Sequence, residues 1–397
     1  MRISIIGIDD CKEPYLSPEV VEVLLHSVNF SGGKRHHEIV KPFLPKQHLW
    51  IDIIPPMSQL IEQYRTFENL VVIASCDPLY NGIAETIIKH IPEAEVTVYP
   101  AFNSLQSLAH KAILPYQDLH EVTLTGRPWL KLDEAVINGE QMIGVLLDKK
   151  EHTPVTVAHR LLYYGYDNYI AYIGECLGND QQEKVSKLSL HEVINGQFEY
   201  PYNMILVKFK ERAKPFGIPD NALALLDGRV NMLTKMPIRL TTLSLLDLYQ
   251  KHNFWDIGSC TGSISVEAKL HFPHLQITAF EVREEGEKLL NINSQRFGTP
   301  GIAFVGGDFR ESDIDGLQHP DCAFIGGHGG HLKEIVERVW SRLTSYGVLV
   351  FNSVSFESQN AFREAIDGVG GLIDTEIRMA IDDHNPITIM KAMKQDE

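Results

Sequence analysis

The residues best placed to do chemistry lie in the stretch Phe254-Trp255-Asp256-Ile257-Gly258-Ser259-Cys260-Thr261-Gly262-Ser263-Ile264-Ser265-Val266-Glu267-Ala268. Trp255 and Ile257 favour a strand. Gly258 and Gly262 permit positive φ or a close approach of backbone to a ligand, and Thr261 or Ser263 can cap a following helix. A strand, glycine turn and helix in this order aim backbone N–H groups at a bound polar or charged group. The next strand-like run, Gln276 to Glu281, ends in a carboxylate ~20 residues past the turn. That is the spacing at which an acid meets ribose hydroxyls in nucleotide-binding α/β folds. The turn lacks the third glycine of the dinucleotide fingerprint, which argues against a nicotinamide-dependent dehydrogenase. Asp256 suits two roles, as acceptor of the N–H groups that hold its own turn or as a cofactor contact. Cys260 reads as a small packing residue, with no base near it in sequence.

A second candidate is Phe30-Ser31-Gly32-Gly33-Lys34-Arg35-His36-His37-Glu38. Two glycines before two cations and two histidines can form an anion-binding turn. Composition alone reads it more readily as a solvated basic loop. The unbroken apolar run from Leu70 to Ala74 predicts a buried parallel strand. It ends in the turn Ser75-Cys76-Asp77-Pro78, the kind of carboxyl end at which open α/β sheets hold ligands.

These residues need a large scaffold, and 397 residues are enough for two domains. The apolar share of 44% and charged share of 22% are those of a globular protein. No apolar run approaches the ~20 residues that span a bilayer. The net charge of -16 argues against a nucleic-acid partner, and it requires any polyanionic substrate to find a local basic pocket. Cys11, Cys76, Cys176, Cys260 and Cys322 have neither zinc-ligand nor redox spacing, so no metal is expected and a reducing cytoplasm is. Met1-Arg2-Ile3-Ser4-Ile5-Ile6-Gly7 reads as a first strand without a signal-peptide cleavage pattern.

The first strand is followed by the loop Ile8-Asp9-Asp10-Cys11-Lys12. Further strands are expected at 95–100, 122–124, 144–148, 169–175 and 203–209, with a helix near Val155 to Tyr164. Lys210-Glu211-Arg212-Ala213-Lys214-Pro215 is charged and ends in proline, which places the domain boundary there. Leucines at 240, 243, 245, 246 and 248 then predict an amphipathic helix. Strands at 277–281, 302–305, 322–325 and 348–352 alternate with helices at 284–297, 332–343 and 357–369. This alternation predicts a doubly wound sheet. Segments 376–381 and 387–393 resemble an antiparallel hairpin closing its edge.

Residues 1–210 resemble the tetrapyrrole methylase family (class III methyltransferases), and within it the CbiE group. The similarity rests on Gly32-Gly33-Lys34-Arg35-His36, Ser75-Cys76-Asp77-Pro78-Leu79-Tyr80-Asn81-Gly82, the Pro100 to Gln106 loop, Gly126-Arg127-Pro128 and Gly174-Glu175-Cys176-Leu177-Gly178. Residues 211–397 resemble the CbiT group of class I methyltransferases, with a Rossmann-like seven-stranded sheet. Here it rests on Gly217-Ile218-Pro219-Asp220, Thr234-Lys235, Asp256-Ile257-Gly258, Thr261-Gly262-Ser263, Val266-Glu267-Ala268, Gly307-Asp308, Phe324-Ile325-Gly326-Gly327 and Asn352. The fusion resembles the bifunctional CobL-type precorrin methyltransferases. The first loop departs from the usual glycine-rich form, and Cys76, Cys260 and Pro237 also depart from the family pattern.

The resemblance implies two S-adenosylmethionine-dependent methylations of a precorrin, at carbons 5 and 15. Loss of the ring C acetate carboxyl accompanies them. It further implies a homo-oligomer, dimer or tetramer. Gly258 to Gly262 then approach the methionine part of the cofactor, Glu281 takes the ribose and Asp308 lies near the adenine amine. Asp77 to Leu79 and the loop from Ala101 to Ser104 form cofactor walls in the first domain. His328 and His331 are candidates to deliver a proton to the decarboxylated carbon, or to bind a substrate carboxylate. Thr234, Lys235 and Arg239 are candidates for binding propionate and acetate groups, against a solvated helix-start cluster. A binding protein without turnover is the competing class for the first domain.

Overall fold

The computed structural model describes residues 1–397 except 10, 12, 13, 230, 231, 382–384 and 397. Asp10 and Lys12 of the first loop therefore lie outside the described residues. The chain forms two compact units. One comprises Met1–Gly126, Gln141–Ala158 and Tyr169–Val207. The other comprises Arg127–Glu140, His159–Asn168 and Lys208–Glu397.

The first unit holds two five-stranded sheets. One is parallel, with β1 (Arg2–Ile8), β2 (Asn29–Gly32), β3 (Leu49–Asp52), β4 (Asn69–Ser75) and β5 (Glu95–Tyr99) in the order β3-β2-β4-β1-β5. Its aliphatic runs are covered on both faces. Ile3 and Ile5 pack with Val72 on one side, and Ile6 and Ile8 with Val71 and Ile73 on the other. The stretch read from composition as a basic loop is instead β2 and the helix Lys34–Val40. Phe30, Ile39 and Val40 share one buried cluster, and that packing orders the segment. The second sheet is mixed: β6 (His120–Thr123), β7 (Met142–Leu146), β8 (Tyr169–Glu175), β9 (Lys184–Ser189) and β10 (Tyr202–Lys208) run in the order β6-β7-β10-β8-β9.

The second unit contains β11 (Asn253–Ile257), β12 (Gln276–Glu281), β13 (Ile302–Gly306), β14 (Cys322–Ile325), β15 (Val348–Ser353), β16 (Leu372–Met379) and β17 (Ile387–Met393). Their order is β13-β12-β11-β14-β15-β17-β16, parallel except for β17, which is antiparallel to both neighbours. The expected edge hairpin is present. Trp255 and Ile257 point into one core, and Phe254 into the other. Succession reverses between β11 and β14, so their carboxyl ends open the crevice in which such sheets bind ligands. Among the described residues no helix is long and apolar enough to cross a membrane.

Candidate active site

The two loops leaving β11 and β14 press directly on each other. Gly258 has φ +72°, and a Cβ there would lie 2.6 Å from Gly327 N and 2.8 Å from its carbonyl oxygen. A Cβ on Gly326 would meet Gly258 O at 3.2 Å. Glycine at 258 and 326 lets these backbones touch, whereas a Cβ on Gly327 would make only ordinary contact, 3.9 Å from Gly258 Cα. Gly262, at φ +71°, is itself the N-cap of the helix Ser263–His271, with no side-chain cap bond. The expected Thr261 or Ser263 cap does not form, and Thr261 Oγ1 is buried without a partner.

The turn's own N–H groups are largely occupied within the fold, contrary to the simple anion-cradle expectation. Those of Gly258 and Ser259 donate to Phe280 O at 2.9 and 3.0 Å. That of Cys260 donates to Glu281 Oε2 at 2.7 Å. Glu281 Oε1 accepts from Arg283 N at 3.0 Å and from Arg283 Nη1 at 2.8 Å. Glu281 is buried at the end of β12, where its carboxylate ties the glycine turn and Arg283 to the strand end. Cys260 sits at φ +52°, and burial pushes its thiol up, in keeping with a packing residue. Asp256 is wholly buried. Its Oδ2 accepts from Ser265 Oγ at 2.6 Å, while Oδ1 has no partner. Burial lifts this carboxyl to about 7 against the bonds from Ser265. Asp256 thus braces the turn from behind.

Asp308 follows β13 and Gly307. Its Oδ1 accepts from Arg310 N at 2.9 Å, and Arg310 Nη2 reaches Oδ2 at 2.6 Å. Bonds from the Arg310 side chain and backbone hold the carboxyl at about 2. Arg310 Nη1 also bonds His331 Nδ1 at 3.0 Å and Glu334 Oε2 at 2.8 Å. His328 is half-buried with its ring edge-on to Phe351, centroids 5.8 Å apart, and its Nδ1 accepts from Gly330 N–H at 3.2 Å. Burial, then the neighbouring His331, lowers its pKa. Asp308 and His331 are therefore brought together, through a residue that the sequence reading passed over. The signal was present as a repeated acid–apolar–arginine triplet, Glu281-Val282-Arg283 and Asp308-Phe309-Arg310.

Arg239 is a correction. It faces the interior of the helix Met236–Leu245 with Ile238, Thr242 and Leu243 and is 0% exposed. Its Nε donates to Glu267 Oε2 at 2.9 Å, Nη1 to Thr234 O at 2.8 Å, and Nη2 to Ile218 O. A guanidinium so enclosed cannot bind a substrate carboxylate. Lys235, partly exposed, immediately precedes that helix.

In the first unit the carboxyl ends of β4, β1 and β5 converge. A Cβ on Gly7 would lie 1.9 Å from Cys76 O and 3.0 Å from both Ala101 N and Pro78 Cδ. Cys76, at φ +57°, donates its N–H to Ile8 O at 2.7 Å. Asp77 Oδ1 accepts from Leu79 N at 2.9 Å, which holds exposed Leu79 at the rim. Ser104 opens the helix Ser104–Ala112, capped by Asn103 and Gln106. The residues named for this site thus lie on adjoining loops.

Together these features define a two-unit α/β protein whose relatives are named methyltransferases. Residues 227–396 match the family described as Precorrin methyltransferase domain. A precorrin-6Y C(5,15)-methyltransferase [decarboxylating] of Sinorhizobium sp is 28% identical over 99% of this chain and 93% of its own. The cobalt-precorrin-6B C(15)-methyltransferase (decarboxylating) of Salmonella typhimurium is 36% identical over 32% of this chain and 64% of its own. A solved precorrin-6Y C5,15-methyltransferase chain from Geobacter metallireducens is 31% identical, with a TM-score of 0.42, covering 46% of this chain and all 100% of that one. Along nearly its whole length the chain is thus similar to precorrin-6Y C5,15-methyltransferases (decarboxylating).

The methyltransferase names of the relatives imply use of S-adenosylmethionine. Glu281→Ala should lower affinity for S-adenosylhomocysteine about 10–100-fold, the worth of hydrogen bonds to a buried charge. Calorimetric titration measures it. Arg283→Ala should shift affinity far less, because that side chain is 43% exposed.

Proposed function

We propose that this chain methylates a precorrin at carbons 5 and 15 and removes the ring C acetate carboxyl, converting precorrin-6B to precorrin-8X in cobalamin biosynthesis. The observation that carries this is the alignment over 99% of the chain with a relative named for both positions. Residues 1–210 act as the CbiE-like half at carbon 5, and residues 211–397 as the CbiT-like half at carbon 15 and in decarboxylation. The enzyme works in the cytoplasm as a homo-oligomer, a dimer or tetramer.

When bound, S-adenosylmethionine supplies an electrophilic methyl group on a sulfonium. The chain's residues mainly hold donor and acceptor in line, and orientation alone can lower a barrier by ~7–11 kcal/mol. In the second half Gly258 to Gly262 approach the methionine part and Glu281 takes the ribose. Asp308 lies by the adenine with its carboxylate shared with Arg310. In the first half Asp77, Leu79, Ala101 and Ser104 wall the cofactor. Thr234 and Lys235 bind substrate carboxylates. In decarboxylation the C–C bond breaks toward the macrocycle, whose conjugated imine system takes the electron pair. His328 and His331 flank the departing carboxylate, and the methylene carbon left behind takes a proton.

Mass spectrometry of precorrin-6B incubated with the enzyme and S-adenosylmethionine tests this. The expected product carries two more methyl groups and has lost one carbon dioxide. Asp77→Ala should remove the carbon-5 methyl alone. One methyl with decarboxylation from the unaltered protein would show that only the second half acts. No mass change, with S-adenosylhomocysteine bound, would leave a methyltransferase of another acceptor.

A further inference from the structure

The glycine turn after β11 is held from two sides. On the β12 side the N–H groups of Gly258, Ser259 and Cys260 are taken up by Phe280 O and Glu281 Oε2. On the other side lies the helix Glu285–Phe297. Its Leu290 packs so closely that a Cβ on Gly262 would lie 2.3 Å from Leu290 Cδ1. Three residues on, the same helix face presents Asn293, which is 0% exposed. Asn293 Nδ2 donates to Thr261 O at 2.8 Å and to Ala224 O at 3.2 Å, and its Oδ1 accepts from Ala224 N at 2.8 Å. A backbone N–H only donates and a carbonyl only accepts, so these partners assign both ends of the carboxamide. The reversed amide would set oxygen against Thr261 O and hydrogens against the Ala224 N–H.

One carboxamide therefore fastens two separate segments. The first is the glycine turn. The second is a strap that starts at Asp220 and returns at Met236, whose N–H donates to Asp220 Oδ1 at 3.0 Å. The carbonyl held in the turn belongs to the Thr261–Gly262 peptide. Gly262 sits at φ +71°, and glycine offers little resistance to rotation of the peptide before it. The N–H of that same peptide donates to Ser259 O at 2.8 Å and so closes the turn. Without Asn293 the Thr261 carbonyl loses its buried partner, and other orientations of the peptide become accessible. We infer that Asn293 is a positioning residue for the cofactor of the second half: it fixes the Thr261–Gly262 peptide in the orientation that binds S-adenosylmethionine. This rests on the reading of Gly258 to Gly262 as the cofactor turn of a carbon-15 methyltransferase.

Steady-state kinetics of carbon-15 methylation, with precorrin-6B as acceptor and the product read by fragment mass, test the assignment. A turn that is in its binding form about one time in ten binds about 10-fold more weakly. In Asn293→Ala the KM for S-adenosylmethionine should rise by about that factor, while kcat at saturating cofactor stays within about twofold, because the bound turn is the same. Carbon-5 methylation in the same incubations should keep its KM. Arg296→Ala is the comparison. Arg296 Nη1 donates to Ala222 O, so this change loosens the strap and leaves the turn its partner; the KM for S-adenosylmethionine should not move. A merely structural role for Asn293 would lower the melting temperature and leave that KM unchanged at temperatures well below it, and this result would overturn the inference. An equal rise in Arg296→Ala would overturn it too, by placing the effect in the strap. Should the alanine variant not fold, Asn293→Ser, with room for a water beside its hydroxyl, takes its place: a raised KM is expected, and an unchanged one overturns the inference. Absence of carbon-15 methylation by the unaltered enzyme would instead bring down the underlying reading, whatever the variants do.

Discussion

Arg239→Ala should destabilise the second unit by about 3–5 kcal/mol, the scale of stranding one member of a buried ion pair. The partner left behind is Glu267, itself 0% exposed. Its carboxylate accepts from Gly217 N at 3.0 Å, Ile218 N at 2.9 Å, Arg239 Nε at 2.9 Å and His271 Nε2 at 3.2 Å. One acid thus pins the segment entering the unit, the first helix before β11 and the helix after the glycine turn. Burial alone would raise this carboxyl; the bonds from His271, the Ile218 N–H and Arg239 outweigh it and hold it below its ordinary value of 4.5. A depressed acid contributes stability that is present above the unfolded-state pKa and is lost as pH falls through the folded one. In Arg239→Ala the stranded acid prefers to be protonated, so its deficit against the parent should shrink on acidification. Denaturant melts at neutral and mildly acid pH measure both effects. Arg239→Met combined with Glu267→Gln, whose one carbonyl oxygen can accept from both Gly217 N and Ile218 N as Oε1 does now, should recover part of the loss. A cost below ~1 kcal/mol for Arg239→Ala would mean that the network is not what holds these elements.

Gly258→Ala should reduce affinity for S-adenosylhomocysteine ~100-fold or more and abolish the carbon-15 methylation while leaving carbon-5 methylation running. Two costs combine. A left-handed backbone costs an L-residue ~1–2 kcal/mol, and forcing an extra methyl into packed surroundings costs ~1–3 kcal/mol. The obstruction here is the Gly327 backbone at 2.6 Å, which cannot rotate away as a side-chain tip could. Relief requires the loops after β11 and β14 to part, and those loops carry the crevice. Gly307→Ala is the comparison without a collision: at φ +106°, with nothing within 4 Å of the added Cβ, it bears a backbone cost at least as large as that at Gly258 and no steric one. Calorimetry on the two variants separates strain from collision. Affinity in Gly258→Ala within a few-fold of that in Gly307→Ala would show that the two loops move apart freely.

Much of this molecule was written locally. The apolar runs of β1, β4 and β14 specify buried parallel strands because backbone covered on both faces favours apolar side chains. The glycine turn, the acid ending β12 and the terminal hairpin are likewise legible from neighbouring residues. The short strands β2 and β3, of four residues each, were not. Four residues show no usable period, and only pairing with β4 and burial of Phe30 makes the basic segment ordered.

The identity of each polar partner was the other thing left to tertiary structure. Arg239 looks in sequence like a cation at a helix start, yet the helix turns it onto Glu267, 28 residues away. Sequence gives Gly326 and Gly327 no partner; the order of β11 and β14 sets them against Gly258. Arg310 meets His331 only because β13 and β14 end on the same rim of the sheet. Local pattern determines which elements form, since it depends on side-chain period and turn chemistry. Which charge meets which depends on strand order and register, and those are settled by contacts between residues far apart in the chain.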